Sequence, residues 1–243
     1  DRRDISPVAG HIPEMTANPD DRAREPAPLL ASLPVFFKLA GRPCVVAGGS
    51  DGAAWKVELL ASAGAEVAVY AAEPGERLER LCAGAAHLSL HRRAWTPADL
   101  AGALIAIADA ESDEAAAEFR DAAHAAGAVA NTVDRPAFCD FQFGSIVNRS
   151  PLVVGISTDG AAPVFGQALR ARIETLAPEG FAAWAKAARE WRDDISARDL
   201  PFRARRQFWE AFAALAFARP EVAPTEEDRQ ALLATVSEES VAA

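Results

Sequence analysis

The chain has 243 residues, half of them hydrophobic and a quarter charged, with a formal net charge of −10. That length supports one large domain, or one with an appendage, and buries a substantial core without disulfide or metal staples. The composition excludes a collagen-like, coiled-coil or wholly disordered chain; no stretch approaches the roughly 20 apolar residues of a membrane helix; and the acidic balance argues against general nucleic-acid binding.

The first residues, Asp1-Arg2-Arg3-Asp4, have no apolar region behind them, so no secretory signal is expected. Three cysteines, Cys44, Cys82 and Cys139, lie far apart without a CxxC pair, which suits a reducing, cytoplasmic address and small core residues. Residues 1–30 contain five prolines and much Asp, Arg and Ala without apolar periodicity, and read as a flexible leader.

From there the periods alternate. Pro43-Cys44-Val45-Val46-Ala47 is a short apolar run ending at Gly48-Gly49, the mark of a buried strand. Ala53 to Ala63 puts Val57, Leu60 and Ala61 on one helical face, with Gly64 closing it. Glu66–Tyr70 is a second strand, Glu76–Cys82 a helix, His87–Leu90 strand-like, and Ala103–Ala108 a continuous apolar strand. Ser112 caps a helix running through Ala126, ended by Gly127, and Val129-Ala130-Asn131 starts another strand. Alternating strand and helix predict a parallel sheet covered on both faces, the Rossmann-like arrangement. After Asp134-Arg135-Pro136, Phe138–Val147 and Leu152–Ile156 read as two strands joined by Asn148-Arg149-Ser150-Pro151 in an antiparallel hairpin. A helix follows from about Ala162 to Leu176, and beyond Pro178 aromatic stripes (Trp184, Trp191, Phe208, Trp209, Phe212) read as helix packing. The predicted class is α/β: a Rossmann-like domain over 31–137, a β-hairpin-plus-helix unit over 138–177, a helical unit over 178–219 and an acidic tail over 220–243 carrying a short helix at Glu226–Val236.

Gly48-Gly49-Ser50-Asp51-Gly52-Ala53 stands where strand turns into helix, the context in which a glycine-rich turn lets backbone approach a pyrophosphate and a helix N-terminus stabilises its charge. Ser50 takes the place of the second glycine and Ala53 that of the third. A tight turn without ligand would need the same glycines. Glu73 lies about 20 residues past the turn, where an acidic residue meets the ribose hydroxyls of NAD and repels the 2′-phosphate of NADP; with Ala72 it is the candidate ribose contact. A bulky residue at Gly48 is expected to weaken cofactor binding and leave the fold intact.

Further motifs carry a family resemblance. Leu33-Pro34-Val35-Phe36 precedes the first strand, and the Gly-Gly turn is followed by Lys56 and by Ala63-Gly64-Ala65. Asn131-Thr132-Val133-Asp134-Arg135-Pro136 comes next, then Phe141–Ile146, Arg149-Ser150-Pro151-Leu152, Ile156–Pro163 and Arg205–Glu210. Over about 31–217 this set resembles the precorrin-2 dehydrogenase/sirohydrochlorin ferrochelatase family, the N-terminal part of multifunctional siroheme synthase. Ala110-Glu111-Ser112 departs from the family's Thr-Asp-Asp, and Asp159 stands where a Gly or Asn is expected.

The resemblance implies NAD-dependent oxidation of precorrin-2 to sirohydrochlorin and, in bifunctional members, insertion of ferrous iron to give siroheme. It implies that Asp134 is the catalytic carboxylate for both steps, assisting the transient iron, and that the 138–177 unit makes a homodimer. His11, His87, His91 and His124 are scattered and offer no permanent metal site, so iron enters as substrate. The tetrapyrrole carries eight carboxylates, for which Ser157, Thr158, Arg149, Arg205 and Arg206 are the candidate contacts, with Arg170, Arg172 and Arg203 behind them. A dehydrogenase without chelatase activity, and a dinucleotide-sensing module without turnover, are the alternative readings.

Overall fold

The structure, a computed structural model, describes residues 29–241, with side chains as far as 235. Most of the leader read at 1–30 therefore lies outside the described residues. The described residues from Pro34 onward form one compact unit.

Its centre is a five-stranded parallel sheet in the order β3-β2-β1-β4-β5, built from β1 (Pro43–Ala47), β2 (Glu66–Tyr70), β3 (Leu88–His91), β4 (Ile105–Ala108) and β5 (Val129–Thr132). β1 is central, with Val45 paired to Ala68 of β2 on one side and to Ala106 of β4 on the other. Helices α1 (Asp51–Ser62) and α2 (Glu76–Ala83) cover one face, burying Val57, Leu60 and Leu78 against Val46, Val67 and Ile107. Helix α3 (Asp113–Ala125) covers the other, burying Phe119 and Ala123 against Val45, Ala106 and Ala130. Both faces being covered, β1 and β4 read as unbroken apolar runs.

The stretch expected to be one strand over Phe138–Val147 is not. A 3₁₀ turn at Pro136–Phe138 and irregular chain precede β6 (Ser145–Arg149), which pairs antiparallel with β7 (Leu152–Ile156). Phe141 and Phe143 alternate because both pack on the core beneath α1, where they meet edge-to-face at 5.2 Å, not because they enter a ladder. The backbone is held there by side chains of and onto β5: Asn131 Nδ2 donates to the Phe141 carbonyl at 2.8 Å, and the Asp140 carboxylate accepts from the Ala130 amide at 2.7 Å. Helix α4 (Pro163–Leu176) lies on the hairpin.

Helices α5 (Phe181–Ala197), α6 (Phe202–Ala218) and α7 (Glu226–Val241) share a core of Trp184, Ile195, Phe208, Phe212, Leu232 and Leu233. Residues 220–243, expected to be a tail with a short helix, thus contribute a 16-residue helix that completes this bundle. The expectation rested on the high Glu content; Leu232 and Leu233 supply the apolar contact, and Thr225 and Asp228 cap the helix reciprocally, at 2.9 Å and 3.2 Å. Among the described residues no helix is long and apolar enough to cross a membrane.

Candidate functional site

From β1 the chain turns to β2 on one side of the sheet, and β4 joins β1 on the other. A crevice therefore opens at the carboxyl ends of β1 and β4, the switch point at which such sheets bind ligands. The glycine turn lies in it. Gly48 has φ +136°, and a Cβ there would stand 2.4 Å from Cβ of Asp109, the residue following β4. A Cβ on Gly49 would stand 2.3 Å from the Glu73 carbonyl oxygen. The Gly49 carbonyl accepts from the Gly75 amide at 2.9 Å, so the loop carrying Ala72 and Glu73 is tied to the turn. Both glycines are thus demanded by the protein's own packing as well as by any ligand, which corrects the expectation that Gly48 could be replaced without disturbing the fold.

Ser50, in the place of the second glycine, is the N-cap of α1: its hydroxyl accepts from the Ala53 amide at 3.2 Å. The side chain is turned toward the helix it starts. The amides of Asp51 and Gly52, in the first turn, have no intrahelical acceptor and remain for an anion. These donors, with Glu73 exposed beside them, fit a dinucleotide pyrophosphate and ribose.

Asp134 stands just beyond β5 at the same edge of the sheet. The Arg135 amide donates to the Thr132 carbonyl at 3.3 Å, closing a turn with Asp134 as its third residue at φ +56°, a position that favours Gly or Asn. Asp134 is an exposed turn residue. Arg135 fastens that turn to the chain between β4 and α3, donating from Nε to the Ala110 carbonyl at 3.1 Å and from Nη2 to the Glu111 carbonyl at 2.9 Å, and pairing with Asp113. Ser112, where the family's second Asp is absent, caps α3 through the Ala115 amide at 3.2 Å.

Lys56 is the group whose role sequence reasoning left unassigned. It is one turn along α1 from Gly52, whose Cα packs so near Val133 that an added Cβ would be 3.2 Å from Val133 Cγ1. Lys56 therefore faces the end of β5. Its ammonium lies 4.0 Å from the ring centroid of Phe143 and 4.5 Å from that of Trp55. Burial pushes its pKa down to about 8, against the pull of Cys139 and Asp134. The sequence signal was present, a lysine at i+4 from the last glycine of the turn, but nothing in the spacing says which rings would surround it.

Trp55 and Phe143 also wall a cavity of about 470 Å³ with Ser157, Thr158, Gln167 and Arg170. Ser157 and Thr158 are thus brought toward the α1 side. Ser157 Oγ accepts from the Asp159 amide at 3.1 Å, and Asp159 has φ +53°, which accounts for the Gly or Asn expected there. The candidate arginines are dispersed. Arg149 is at the far end of the hairpin from Ser157, opposite Leu152 and so five residues, roughly 17 Å, along the chain, and donates to the carbonyls of Ala177 and Asn148, both at 2.9 Å. Arg206 pairs with Glu210 at 2.7 Å on α6, and Arg205 is half-buried on the same helix. A second hollow, about 660 Å³, opens at the amino ends of β1 to β3, the edge opposite the glycine turn. Among the described residues no group of three His, Cys, Asp or Glu side chains is placed to hold a metal ion.

The parallel sheet, the glycine turn at its switch point and the appended hairpin and helices define a Rossmann-type dinucleotide-binding protein. A family model described as "Putative NAD(P)-binding" matches residues 35–145. Siroheme synthase of Psychrobacter cryohalolentis is 37% identical over 179 residues, 74% of this chain and 34% of the relative. That of Nitrosococcus oceani is 35% identical over 201 residues, 83% of this chain and 43% of the relative. That of Methylobacillus flagellatus is 40% identical over 183 residues, 74% and 38% respectively. The chain spans between about a third and two-fifths of the length of these curated relatives. A solved structure titled "SirC, precorrin-2 dehydrogenase" superposes with a TM-score of 0.63 at 18% identity, covering 85% of this chain and all of that one, and shares the fold. The chain belongs to the siroheme synthase/precorrin-2 dehydrogenase–ferrochelatase family and matches its N-terminal, NAD-binding part.

Proposed function

We propose that the protein oxidises precorrin-2 to sirohydrochlorin with NAD and then inserts ferrous iron to give siroheme. The observation that carries this reading is the convergence, at one edge of the sheet, of the glycine turn, Glu73 and Asp134 in a chain of this family. NAD, when bound, supplies the hydride acceptor. The chain's own part is to hold it: first-turn amides of α1 at the pyrophosphate and Glu73 at the ribose. Asp134, rigidly presented by the Arg135 latch, takes the proton released when the macrocycle is oxidised. In chelation the same carboxylate receives pyrrole N–H protons as iron, a substrate, enters the ring.

Ser157 and Thr158 are the tetrapyrrole contacts nearest this edge. The protein acts as a cytoplasmic homodimer joined through the hairpin and α4, since a two-stranded unit is marginal alone and Val153, Val164 and Phe165 are exposed on it. The test is anaerobic incubation with precorrin-2, NAD and Fe²⁺, following sirohydrochlorin absorbance and then that of siroheme. Sirohydrochlorin without siroheme would leave a dehydrogenase; NAD binding without either product would leave a sensing module.

A further inference from the structure

We propose that Lys56 is the carboxylate-recognition residue of this site: its ammonium, lying over the Trp55 and Phe143 rings that wall the 470 Å³ cavity though Lys56 itself is not part of the lining, takes a side-chain carboxylate that a polycarboxylate ligand seated beside Ser157 and Thr158 extends past those rings. The inference rests on the tetrapyrrole reading above for the identity of that ligand.

Three observations support it. First, Lys56 is a half-buried cation for which no described residue accepts a hydrogen bond or forms an ion pair. Its stabilisation comes from two aromatic faces, which leave the N–H donors unspent. An ammonium in that condition gains more from an arriving anion than a solvated one does, because part of its desolvation cost is already met. Second, the arginines nominated by sequence are poorly disposed for the role. Arg170 lines the cavity but pairs with Glu174 at 3.0 Å, and Arg149 and Arg206 have partners elsewhere. Third, the aromatic walls suit a flat conjugated ring bearing the carboxylate.

The titratable groups whose charge acts on Lys56 are Cys139 and Asp134, from the connection between β5 and β6; Arg170 of α4 lines the neighbouring cavity, and Asp159 accepts from Gln142, another residue of that lining, at 3.4 Å. The ammonium is the form that binds, so recognition weakens as pH rises through about 8.

The chain has only three lysines, Lys38, Lys56 and Lys186, so reductive ¹³C-methylation gives a short, assignable NMR spectrum. The probes are uroporphyrin, a stable octacarboxylate macrocycle, benzenehexacarboxylate, and NAD. On adding uroporphyrin the Lys56 signal alone should move, and its titration midpoint should rise. Lys56→Met should weaken uroporphyrin binding by about tenfold or more at pH 7, while Lys56→Arg retains it. Wild-type affinity should fall between about pH 7 and 9, and that of Lys56→Arg should stay flat across this range. Uroporphyrin binding equally to wild type and Lys56→Met would overturn the inference and leave the tetrapyrrole reading standing. A Lys56 signal moved by NAD alone would also overturn it, assigning the anion to the cofactor's phosphates. If uroporphyrin bound to neither protein, the tetrapyrrole reading would fall. Benzenehexacarboxylate would then decide the inference separately: a shift of Lys56 sustains it, and no shift overturns it.

Discussion

Gly48 and Asp109 face each other across the switch point so closely that a Cβ on Gly48 would lie 2.4 Å from Cβ of Asp109. With φ at +136°, the backbone of Gly48 is also one that L side chains rarely adopt. Gly48→Ala should therefore cost roughly 2–3 kcal/mol, lowering the melting temperature by about 5–10 °C before any effect on cofactor binding is considered. A melt indistinguishable from wild type would mean that the turn can open away from Asp109.

Asp134 combines a turn position with a proposed chemical role, and two substitutions separate them. Asp134→Gly suits φ +56° and should leave the melting temperature unchanged or slightly higher, yet remove precorrin-2 oxidation. Asp134→Asn keeps shape and turn preference but cannot accept the proton, and should slow oxidation by about 10²–10⁴-fold with NAD affinity nearly unchanged. Near wild-type turnover by the Asn variant would make Asp134 a turn residue only, with Asp109 and Asp159 the next bases to test.

Arg135 holds the Asp134 turn to the chain before α3 through Ala110, Glu111 and Asp113. Arg135→Ala should destabilise the protein by roughly 1–3 kcal/mol and lower kcat more than it changes KM for NAD. Lysine cannot reproduce two carbonyl contacts from one planar fork, so Arg135→Lys should rescue only part. Denaturant unfolding and steady-state kinetics check both arms.

Acid stability should depend on Asp140. Burial raises its pKa, but the Ala130 amide and His124 outweigh this and leave it lowered. A carboxyl lowered on folding stabilises the native state above its unfolded pKa, and that contribution is lost as pH falls through the folded value. Asp140→Asn should be less stable than wild type at neutral pH, with the gap closing below about pH 4. A constant gap down to pH 2 would show that ionisation of Asp140 does not matter.

Val164 and Phe165 are 78% and 59% exposed at the start of α4. Sedimentation at micromolar concentration should give a dimer, and Phe165→Glu should shift it toward monomer without unfolding the sheet domain. A wild-type monomer would refute the dimer through this unit.

The parallel sheet was legible in the chain because its strands are buried on both faces: Pro43–Ala47 and Ala103–Ala108 can be little else, and Gly64 and Gly127 close the helices before their next strands. The turn at Gly48–Ala53 was legible from residue type and strand-end position, whereas Asp134 was named through the family resemblance; the structure places both at the carboxyl edge of the sheet. Phe141 and Phe143 were misread, since alternation records only that side chains are buried in turn, and core packing under α1 produces it as readily as a ladder. Helix α7 was read short because its charge lies in local sequence whereas Leu232 and Leu233 find their partners on α6. Tertiary structure alone decided that Gly48 must be glycine for the sake of Asp109, that Arg149 turns to Ala177 rather than toward Ser157, and that Lys56 lies between Trp55 and Phe143. Each of these pairs Phe143, Asp109 or Ala177 with a residue distant in sequence. Periodicity reports which face a side chain occupies; which groups from elsewhere in the chain meet it there depends on how the elements pack.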